Sequence, residues 1–212
     1  MKETNKKSFL PVLIAVLLLV MALAVILKLL PTKTPVQPTV PAESGESLYA
    51  DIVIKDYGTI TVKLEPQYAP LSVERFTMLA ESGFYNGLTF HRIIEGFMMQ
   101  GGDPNGNGTG GYSEDLKGEF AANGVRNPLN HTRGTISFAR SQSYDSASSQ
   151  FFIMHKDYPS LDGQYAAFGR VTEGIEIVDA ICESAEPVDA NGSILPEQQP
   201  VIETITIREE AA

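Results

Sequence analysis

The first thirty residues consist of a short polar segment followed by a long apolar one. Residues 1–8 are polar and include three lysines, and residues 9–30 form an apolar run that only Lys28 interrupts. About 20 apolar residues in a helix cover the hydrocarbon thickness of a bilayer, whereas a signal-peptide core has about 7–15. Lysines before such a run favour a cytoplasmic amino terminus. The pattern therefore predicts a cytoplasmic segment at 1–8 and a single-pass transmembrane helix at 9–30, with the rest of the chain outside the cell membrane.

A cleavable signal peptide is the alternative interpretation of the same segment. Ala22-Leu-Ala24 has the small-x-small form of a cleavage site. Cleavage there would leave the apolar residues 25–30 at the start of a secreted, soluble protein, which is unfavourable. The uncleaved anchor is therefore the preferred interpretation.

Residues 31–47 have the composition of a tether. Four prolines are interspersed with threonine, serine and glutamate, and this composition cannot build a core. Such segments tend to be extended and semi-rigid. We predict a linker at 31–47, which holds a folded domain at 48–212 some distance from the membrane.

Short runs of β-branched and aromatic residues, separated by turns, dominate residues 48–212. Two of these runs, 49–55 and 59–64, flank Asp56-Tyr-Gly58 and predict a hairpin. Further strands are predicted at 89–94, 97–100, 135–139, 151–154, 166–171 and 202–207.

Two segments have helical periodicity. The first begins at Pro70 and ends before Gly83. Its apolar residues share one face, and they are Val73, Phe76, Leu79 and Ala80. The second helix is predicted at 175–183. Short strands, glycine-rich turns and only two helices predict a mainly β fold that is antiparallel and closed or nearly closed.

Composition and charge exclude several classes of function. The chain has a net charge of −10, and residues 48–212 contain 11 basic and 23 acidic residues, a net charge of −12. Such a field repels phosphate backbones, so we expect no nucleic-acid partner. The single cysteine, Cys182, excludes an intrachain disulfide and a cysteine-based zinc cluster. Its apolar surroundings predict a buried thiol.

The sequence lacks the motifs of the common covalent, metal and redox chemistries. The three histidines, His91, His131 and His155, have no metal-ligand spacing and are interpreted as structural. Neither a Gly-x-Ser-x-Gly elbow nor a dinucleotide fingerprint occurs. We therefore expect neither a metal nor a cofactor.

The glycine-rich loop 101–111 imitates a calcium site. The residues with EF-hand spacing are Asp103, Asn105, Asn107, Gly108 and Glu114. An EF-hand loop follows a helix, however, whereas this loop follows strand-like residues and has few carboxylates. A tight surface loop with glycines at positive φ is the preferred interpretation.

Polar residues embedded in apolar strands mark the candidate site. Arg92 has apolar neighbours on both sides, although arginine is rarely buried without a partner. Gln150 stands in the same way beside aromatic residues. Strand alternation puts Met98 and Gln100 on one side of their strand and Phe97 on the other, unless the preceding turn changes its direction.

These clusters resemble the active-site segments of cyclophilin-type peptidyl-prolyl isomerases. Residues 90–103, Phe-His-Arg-Ile-Ile-Glu-Gly-Phe-Met-Met-Gln-Gly-Gly-Asp, match a long motif of the family except at Glu95, where many members have proline. Residues 149–153, Ser-Gln-Phe-Phe-Ile, match a second motif. Shorter matches occur in the family's order at 108–111, 130–134, 136–140, 161–163 and 168–171. The resemblance covers about 49–207. Together with the anchor predicted at 9–30, it predicts a bacterial-like, membrane-anchored member.

The resemblance implies both a fold and a set of site residues. The implied fold is an eight-stranded antiparallel β-barrel capped by two α-helices. Arg92 is the implied catalytic residue. The implied substrate-binding residues, which line a proline pocket or hold the peptide backbone, are Phe97, Met98, Gln100, Ala139, Arg140, Gln150, Phe152, Leu161 and Tyr165.

The implied reaction is cis–trans isomerisation of X–Pro bonds in proteins that fold outside the membrane. The alternative is a tethered module that binds proline-containing segments, with incidental turnover. The expected partners are proline-containing polypeptides and, through the amino-terminal helix, the membrane; we expect the chain to be monomeric. Ser160 stands where many animal members have tryptophan, which predicts weak cyclosporin binding. Tyr165 replaces a common histidine, and Arg140 replaces a common asparagine.

Overall fold

The computed structural model describes residues 46–211, which contain eight strands and two α-helices. The strands are β1 (Glu46–Ile54), β2 (Gly58–Leu64), β3 (Thr89–Ile94), β4 (Met98–Asp103), β5 (Thr135–Phe138), β6 (Phe151–Met154), β7 (Ala167–Glu173) and β8 (Ile202–Ala211). The helices are α1 (Pro70–Glu81) and α2 (Ile175–Ser184). Every strand and helix predicted between 49 and 207 is present.

The amino-terminal predictions fall largely outside this part of the chain. The cytoplasmic segment at 1–8, the anchor at 9–30 and most of the linker at 31–47 lie outside the described residues. β1 begins at Glu46, two residues before the predicted start of the folded domain. Within the described residues, no helix combines the length and the apolar character needed to cross a membrane.

The eight strands form one antiparallel sheet with the order β3-β4-β6-β5-β7-β2-β1-β8. The two edges of the sheet approach each other. The Phe90 N–H donates to the Pro200 carbonyl at 2.9 Å, and the Ile202 N–H donates to the Leu88 carbonyl at 2.8 Å. These bonds join the β3 edge to the start of β8, so the sheet curls into a barrel-like shape. The mainly β, antiparallel fold of eight strands and two helices agrees with the prediction.

The barrel interior is a single apolar core that α1 covers. All four residues predicted to share one face of α1 are buried, and the ring of Phe76 is fully buried at the centre. The Phe76 centroid lies 5.4 Å from that of Tyr85, 5.4 Å from that of Phe151 and 5.1 Å from that of Phe168. Rings at these distances stabilise a core beyond their buried area. In α2, Cys182 is buried as predicted, and burial raises the pKa of its thiol to about 12.

A distant glutamate caps the amino terminus of α1. The residue before the helix, Ala69, offers no side-chain cap. Instead the buried carboxylate of Glu119 accepts hydrogen bonds from the backbone N–H groups of Leu71 and Ser72 at 3.0 and 2.8 Å, and from the Ser72 hydroxyl at 2.6 Å. These are orphan donors of the first turn, and a carboxylate is favoured at this end of the helix dipole. The segment around Glu119 and α1 therefore hold each other in place.

β4 is longer than the sequence predicts, because two glycines continue it to Asp103. A Cβ at Gly101 would lie 2.7 Å from the carbonyl oxygen of Thr89, and one at Gly102 would lie 2.7 Å from that of Ser149. Glycine thus allows β4 to approach the chain segments on both of its sides. The predicted loop begins only after Asp103.

Candidate active site

The outer face of the barrel carries a small apolar platform on β4 and β6. Met98 pairs with Met154, and Gln100 pairs with Phe152, across adjacent antiparallel strands. Residues opposite each other in a pair share one face of the sheet. Met98, Phe152 and Met154 form a buried cluster that is separate from the main core. The strand period of two thus gives these strands apolar residues on both faces, one for the core and one for a site.

A cavity of about 150 Å³ lies on this platform. Nine of the ten predicted site residues line it, and they are Arg92, Phe97, Met98, Gln100, Ala139, Arg140, Phe152, Leu161 and Tyr165. The tenth, Gln150, is not in its lining and lies behind Gln100. Segments that are far apart in the sequence thus converge on one concave surface, which has an apolar floor and polar groups at its rim.

Phe97 reaches the cavity because the turn before it changes the direction of its side chain. Gly96 has a positive φ of 77°, and the Phe97 N–H donates to the Ile94 carbonyl at 3.0 Å. Phe97 precedes β4 and does not follow its alternation, so it lies on the same side as Met98. Its ring packs against the exposed ring of Tyr158, with a centroid distance of 4.5 Å.

Arg92 is half-buried at the cavity, and neutral groups hold it. Its Nε donates to the backbone carbonyl of Asn191 at 2.7 Å, and its Nη1 donates to Oε1 of Gln100 at 3.3 Å. Within the described residues, no carboxylate lies within ion-pair distance of Arg92, and Nη2 makes no hydrogen bond. Burial lowers the pKa of the guanidinium from its usual value, although an arginine keeps its proton in proteins. A charged donor with unused N–H groups thus faces the cavity.

A chain of amides connects Arg92 to the glycine-rich loop. Nε2 of Gln100 donates to Oε1 of Gln150 at 2.8 Å, and Nε2 of Gln150 donates to the carbonyl of Gly110 at 2.7 Å. Each glutamine is therefore fixed by a donor on one side and an acceptor on the other. Gln150 orients Gln100, which in turn orients Arg92.

In the loop that resembles a calcium site, the carboxylate of Asp103 accepts hydrogen bonds from backbone N–H groups of the loop itself. Asp103 is buried and accepts hydrogen bonds from the backbone N–H groups of Asn105, Asn107 and Gly108 at 2.8, 3.1 and 2.5 Å. This arrangement is a tight loop closed on its own aspartate, with Gly106 and Gly108 at positive φ. The preferred interpretation of the loop agrees with this geometry.

The far wall of the cavity rests on a buried histidine. His131 stacks beneath Phe152, with ring centroids 5.9 Å apart, and its Nδ1 lies 3.0 Å from a carboxylate oxygen of Asp162. Its Nε2 lies 3.2 Å from the hydroxyl of Ser137. Burial lowers the pKa of His131, although the Asp162 carboxylate opposes this shift. The neutral ring therefore donates to Asp162 and accepts from Ser137, as a structural residue.

Arg140 closes the rim on the side of Tyr165. Its guanidinium carbon lies 4.6 Å from the centroid of Tyr165, 5.2 Å from that of Phe120 and 5.0 Å from that of Tyr144. Its Nε and Nη2 both donate to the carbonyl of Gln164, at 3.1 and 2.9 Å. Arg140 thus stacks on the wall of the cavity and fixes the segment that carries it. Two arginines line a cavity on an acidic chain.

Sequence reasoning missed three aromatic residues near the site. Tyr158 packs on Phe97, and Phe120 and Tyr144 pack on Arg140. None of them lies within a recognised motif. A signal was present for two of them, because exposed tyrosines in polar loops are enriched at binding surfaces. Tyr144 and Tyr158 are 40% and 44% exposed.

Comparison with known proteins identifies the family. The family model "Cyclophilin type peptidyl-prolyl cis-trans isomerase/CLD" matches residues 49–209. The peptidyl-prolyl cis-trans isomerase of Helicobacter pylori is 44% identical over 141 residues, which are 66% of this chain and 83% of that protein. Peptidyl-prolyl cis-trans isomerase B of Bacillus subtilis is 44% identical over 124 residues, 58% of this chain and 83% of that protein.

Solved structures lead to the same family. The crystal structure of a Cryptosporidium parvum cyclophilin-type isomerase, determined in the presence of the dipeptide Ala-Pro, superposes with a TM-score of 0.66 and 30% identity. The match covers 76% of this chain and 98% of that chain. The chain therefore belongs to the cyclophilin-type peptidyl-prolyl cis-trans isomerases, and it is an enzyme that interconverts the cis and trans forms of X–Pro bonds.

Proposed function

We propose that isomerisation takes place in the cavity beside Arg92, with Arg92 as the catalytic residue. The observation that carries this proposal is a half-buried guanidinium without a carboxylate partner in the described residues, at the rim of an apolar cavity. A salt-bridged arginine would have its charge neutralised. This one is held by a carbonyl and an amide, so its charge remains available to a substrate.

The chemistry of the reaction explains why an arginine is enough. The barrier to rotation is the loss of amide resonance, about 18–20 kcal/mol, and no bond has to break. Twisting the bond makes the prolyl nitrogen pyramidal and gives it a lone pair. A guanidinium that donates to this nitrogen interacts more strongly with the twisted state than with either planar state. This differential interaction is what accelerates the reaction.

The remaining cavity residues would bind the substrate. The apolar side chains of Phe97, Met98, Phe152 and Leu161 form the walls that grip the proline ring, with Tyr165 at the edge. Gln100, Ala139, Arg140 and Gln150 would hold the peptide backbone on either side. The proposed substrates are proline-containing polypeptides. The structure of the Cryptosporidium parvum relative, determined in the presence of the dipeptide Ala-Pro, supports this proposal.

The test is an isomerase assay on the full chain with Arg92→Ala and Arg92→Lys. We expect Arg92→Ala to lose at least about 100-fold in kcat/KM, and Arg92→Lys to recover part of it, since the ammonium supplies charge without the planar fork. Arg126→Ala is the matched control, because Arg126 is exposed and has no polar side-chain contact within the described residues. A folded Arg92→Ala protein with unimpaired turnover would disprove the assignment.

The amino-terminal segment indicates where in the cell this activity takes place. We propose that the enzyme is anchored by residues 9–30 and acts on proteins that fold on the outer side of the cell membrane. The support is the length of the apolar run and the lysines before it. Secretion after cleavage at 22–24 is the alternative.

Protease digestion of intact cells and of spheroplasts tests this location. Digestion of the domain from outside, with the chain retained in the membrane fraction, is the expected result. Recovery of the domain in the soluble external fraction, with a new amino terminus near residue 25, would support the secreted form instead. A domain protected in spheroplasts would contradict both.

A further inference from the structure

The Phe97 ring is held by the turn that precedes it, and a buried histidine outside the cavity fastens this turn. The Gly96 N–H donates to Nδ1 of His155 at 2.9 Å. The His155 N–H donates to the Phe97 carbonyl at 2.9 Å. The His155 side chain is 2% exposed. One residue thus binds the backbone at both ends of the Gly96-Phe97 dipeptide.

Nδ1 of His155 accepts a hydrogen bond, and this determines which tautomer the ring adopts. Since Nδ1 accepts from Gly96, it carries no proton, and the neutral ring has its proton on Nε2. Nε2 faces Oδ1 of Asp179 at 3.4 Å. Both atoms are buried, and neither has a hydrogen-bond partner within the described residues. A carboxylate beside Nε2 favours the tautomer that accepts from Gly96.

Asp179 is itself fixed, and it belongs to α2. Its other carboxylate oxygen forms an ion pair with Arg133. The backbone N–H of Arg133 donates to the Asp157 carboxylate at 2.7 Å. The pairing therefore connects α2, through His155, to the turn between β3 and β4.

The turn at 94–97 has the features of a type II turn, but it lacks the proline that often fixes φ in the second position. The Phe97 N–H donates to the Ile94 carbonyl, and Gly96, in the third position, has a φ of 77°. A type II turn requires positive φ there and favours proline in the second position, where it fixes φ. The second residue here is Glu95, which is exposed and does not fix φ. The restraint has to come from outside the turn, and the His155 contact supplies one.

We propose that His155 is a positioning residue for the isomerase reaction, which holds the turn so that the Phe97 ring forms a wall of the cavity. This inference rests on the proposed role of the cavity in gripping the proline ring. A wall that contacts the ring in the planar and twisted states alike contributes uniform binding. Its displacement therefore raises KM and leaves kcat little changed.

The test compares His155 variants of the full chain in an isomerase assay over a range of concentrations of an Ala-Pro peptide. His155→Leu removes the acceptor and leaves the Gly96 N–H unpaired, so we expect KM to rise about tenfold, with kcat within about twofold. His155→Asn can place its side-chain oxygen near the position of Nδ1, so we expect KM to stay within about threefold of the wild-type value.

A second-site change separates positioning from general stability. Glu95→Pro suits the second position of a type II turn and fixes its φ. Added to His155→Leu, it should reverse most of the rise in KM, although it restores no contact of residue 155. If His155→Leu does not fold, Asp179→Ala provides the same test, with an expected rise in KM of about threefold. Glu183→Ala is the control, since Glu183 is exposed on α2 and has no polar side-chain contact in the described residues.

The outcomes distinguish this inference from the proposed function. If Phe97→Ala raises KM while a folded His155→Leu protein keeps the wild-type KM, the positioning role is wrong and the cavity assignment stands. An Asn variant as impaired as the Leu variant, or no recovery by Glu95→Pro, also overturns the positioning role. If Phe97→Ala leaves KM unchanged, the cavity assignment itself fails.

Discussion

Arg92 and Gln100 face each other across the β3–β4 pair, and Nη1 of the arginine donates to Oε1 of the glutamine at 3.3 Å. The same glutamine donates from its Nε2 to Gln150. Its amide therefore cannot rotate without breaking one of these bonds. The orientation of the guanidinium thus depends on a neutral residue, which restrains its position without neutralising its charge.

Substitutions of Gln100 should distinguish the effect of the orientation of the Arg92 guanidinium from the effect of its charge. We expect Gln100→Leu to lower kcat/KM about tenfold, because Arg92 loses an acceptor and Gln150 loses a donor. Gln100→Glu should lower kcat/KM at least as much, since a carboxylate would pair with the guanidinium and compete with the substrate nitrogen. An isomerase assay on the full chain checks both, with Gln198→Leu, at an exposed position, as the control. A Gln100→Leu enzyme with wild-type kcat/KM would show that the arginine needs no such restraint.

Removing the cap of α1 should destabilise the fold. Glu119→Ala leaves buried N–H donors without an acceptor, so we expect a loss of about 2–3 kcal/mol in the free energy of unfolding. Glu119→Gln keeps one acceptor oxygen and should lose less. Urea unfolding measures both effects. Glu114→Ala is the control, because the Glu114 side chain is 73% exposed and its only ion pair in the described residues, with Arg75, has a separation of 3.6 Å. We expect this change to alter stability by less than about 0.5 kcal/mol. Equal losses for Glu119→Ala and the control would exclude the capping role.

Stability should fall as the pH decreases below about 6.5, the ordinary pKa of histidine. Burial lowers the pKa of both His91 and His131 in the folded chain. Between the folded pKa and the unfolded one, the unfolded chain binds more protons, so acid favours unfolding in that window. The loss cannot exceed about 1.4 kcal/mol per group for each pH unit.

Urea unfolding at pH 7.5 and pH 5.5 measures this dependence. Both pH values lie above the ordinary pKa values of carboxyl groups, so the titration of histidines dominates the difference. His131→Asn should be less stable at pH 7.5 and should depend less on pH. If the variant kept the full pH dependence, His131 would not contribute to it.

Cyclosporin should inhibit the enzyme weakly. Ser160, where many animal members have tryptophan, is exposed in the 3₁₀ turn Pro159–Leu161, next to Leu161 in the cavity lining. A serine there offers little apolar surface to a large cyclic peptide. We expect Ser160→Trp to strengthen inhibition by about tenfold or more, since tryptophan is enriched among the residues that contribute most to binding energy at interfaces. Inhibition of isomerase activity measures the change, and Ser113→Trp, at an exposed position, is the control. Strong inhibition of the wild type would contradict the prediction.

The two helices and the individual strands were predictable because their signals are local. The period of two in β2 and the shared face of Val73, Phe76 and Leu79 in α1 follow from neighbours a few residues apart. The length of β4 was not predictable in this way. Glycine is a poor strand former, and only the close approach of Thr89 and Ser149 explains why Gly101 and Gly102 belong to the strand.

Motifs predicted nine residues that line the cavity, but they did not predict how the side chains are arranged. The motifs named the residues, but strand alternation alone would have turned Phe97 away from Met98. The turn at Gly96 decides this direction. No motif marked Tyr158 or the carbonyl of Asn191, which accepts from Arg92 across a separation of 99 residues.

The sequence by itself determined the elements, the family resemblance and the residues of the candidate site, since periodicity, turn chemistry and motifs are properties of short segments. Only the tertiary structure decided how Glu119 caps α1 and how His155 and Asp179 reach the turn before Phe97. These contacts join residues that are far apart in the sequence. Their geometry depends on how the barrel closes, and no local pattern encodes it.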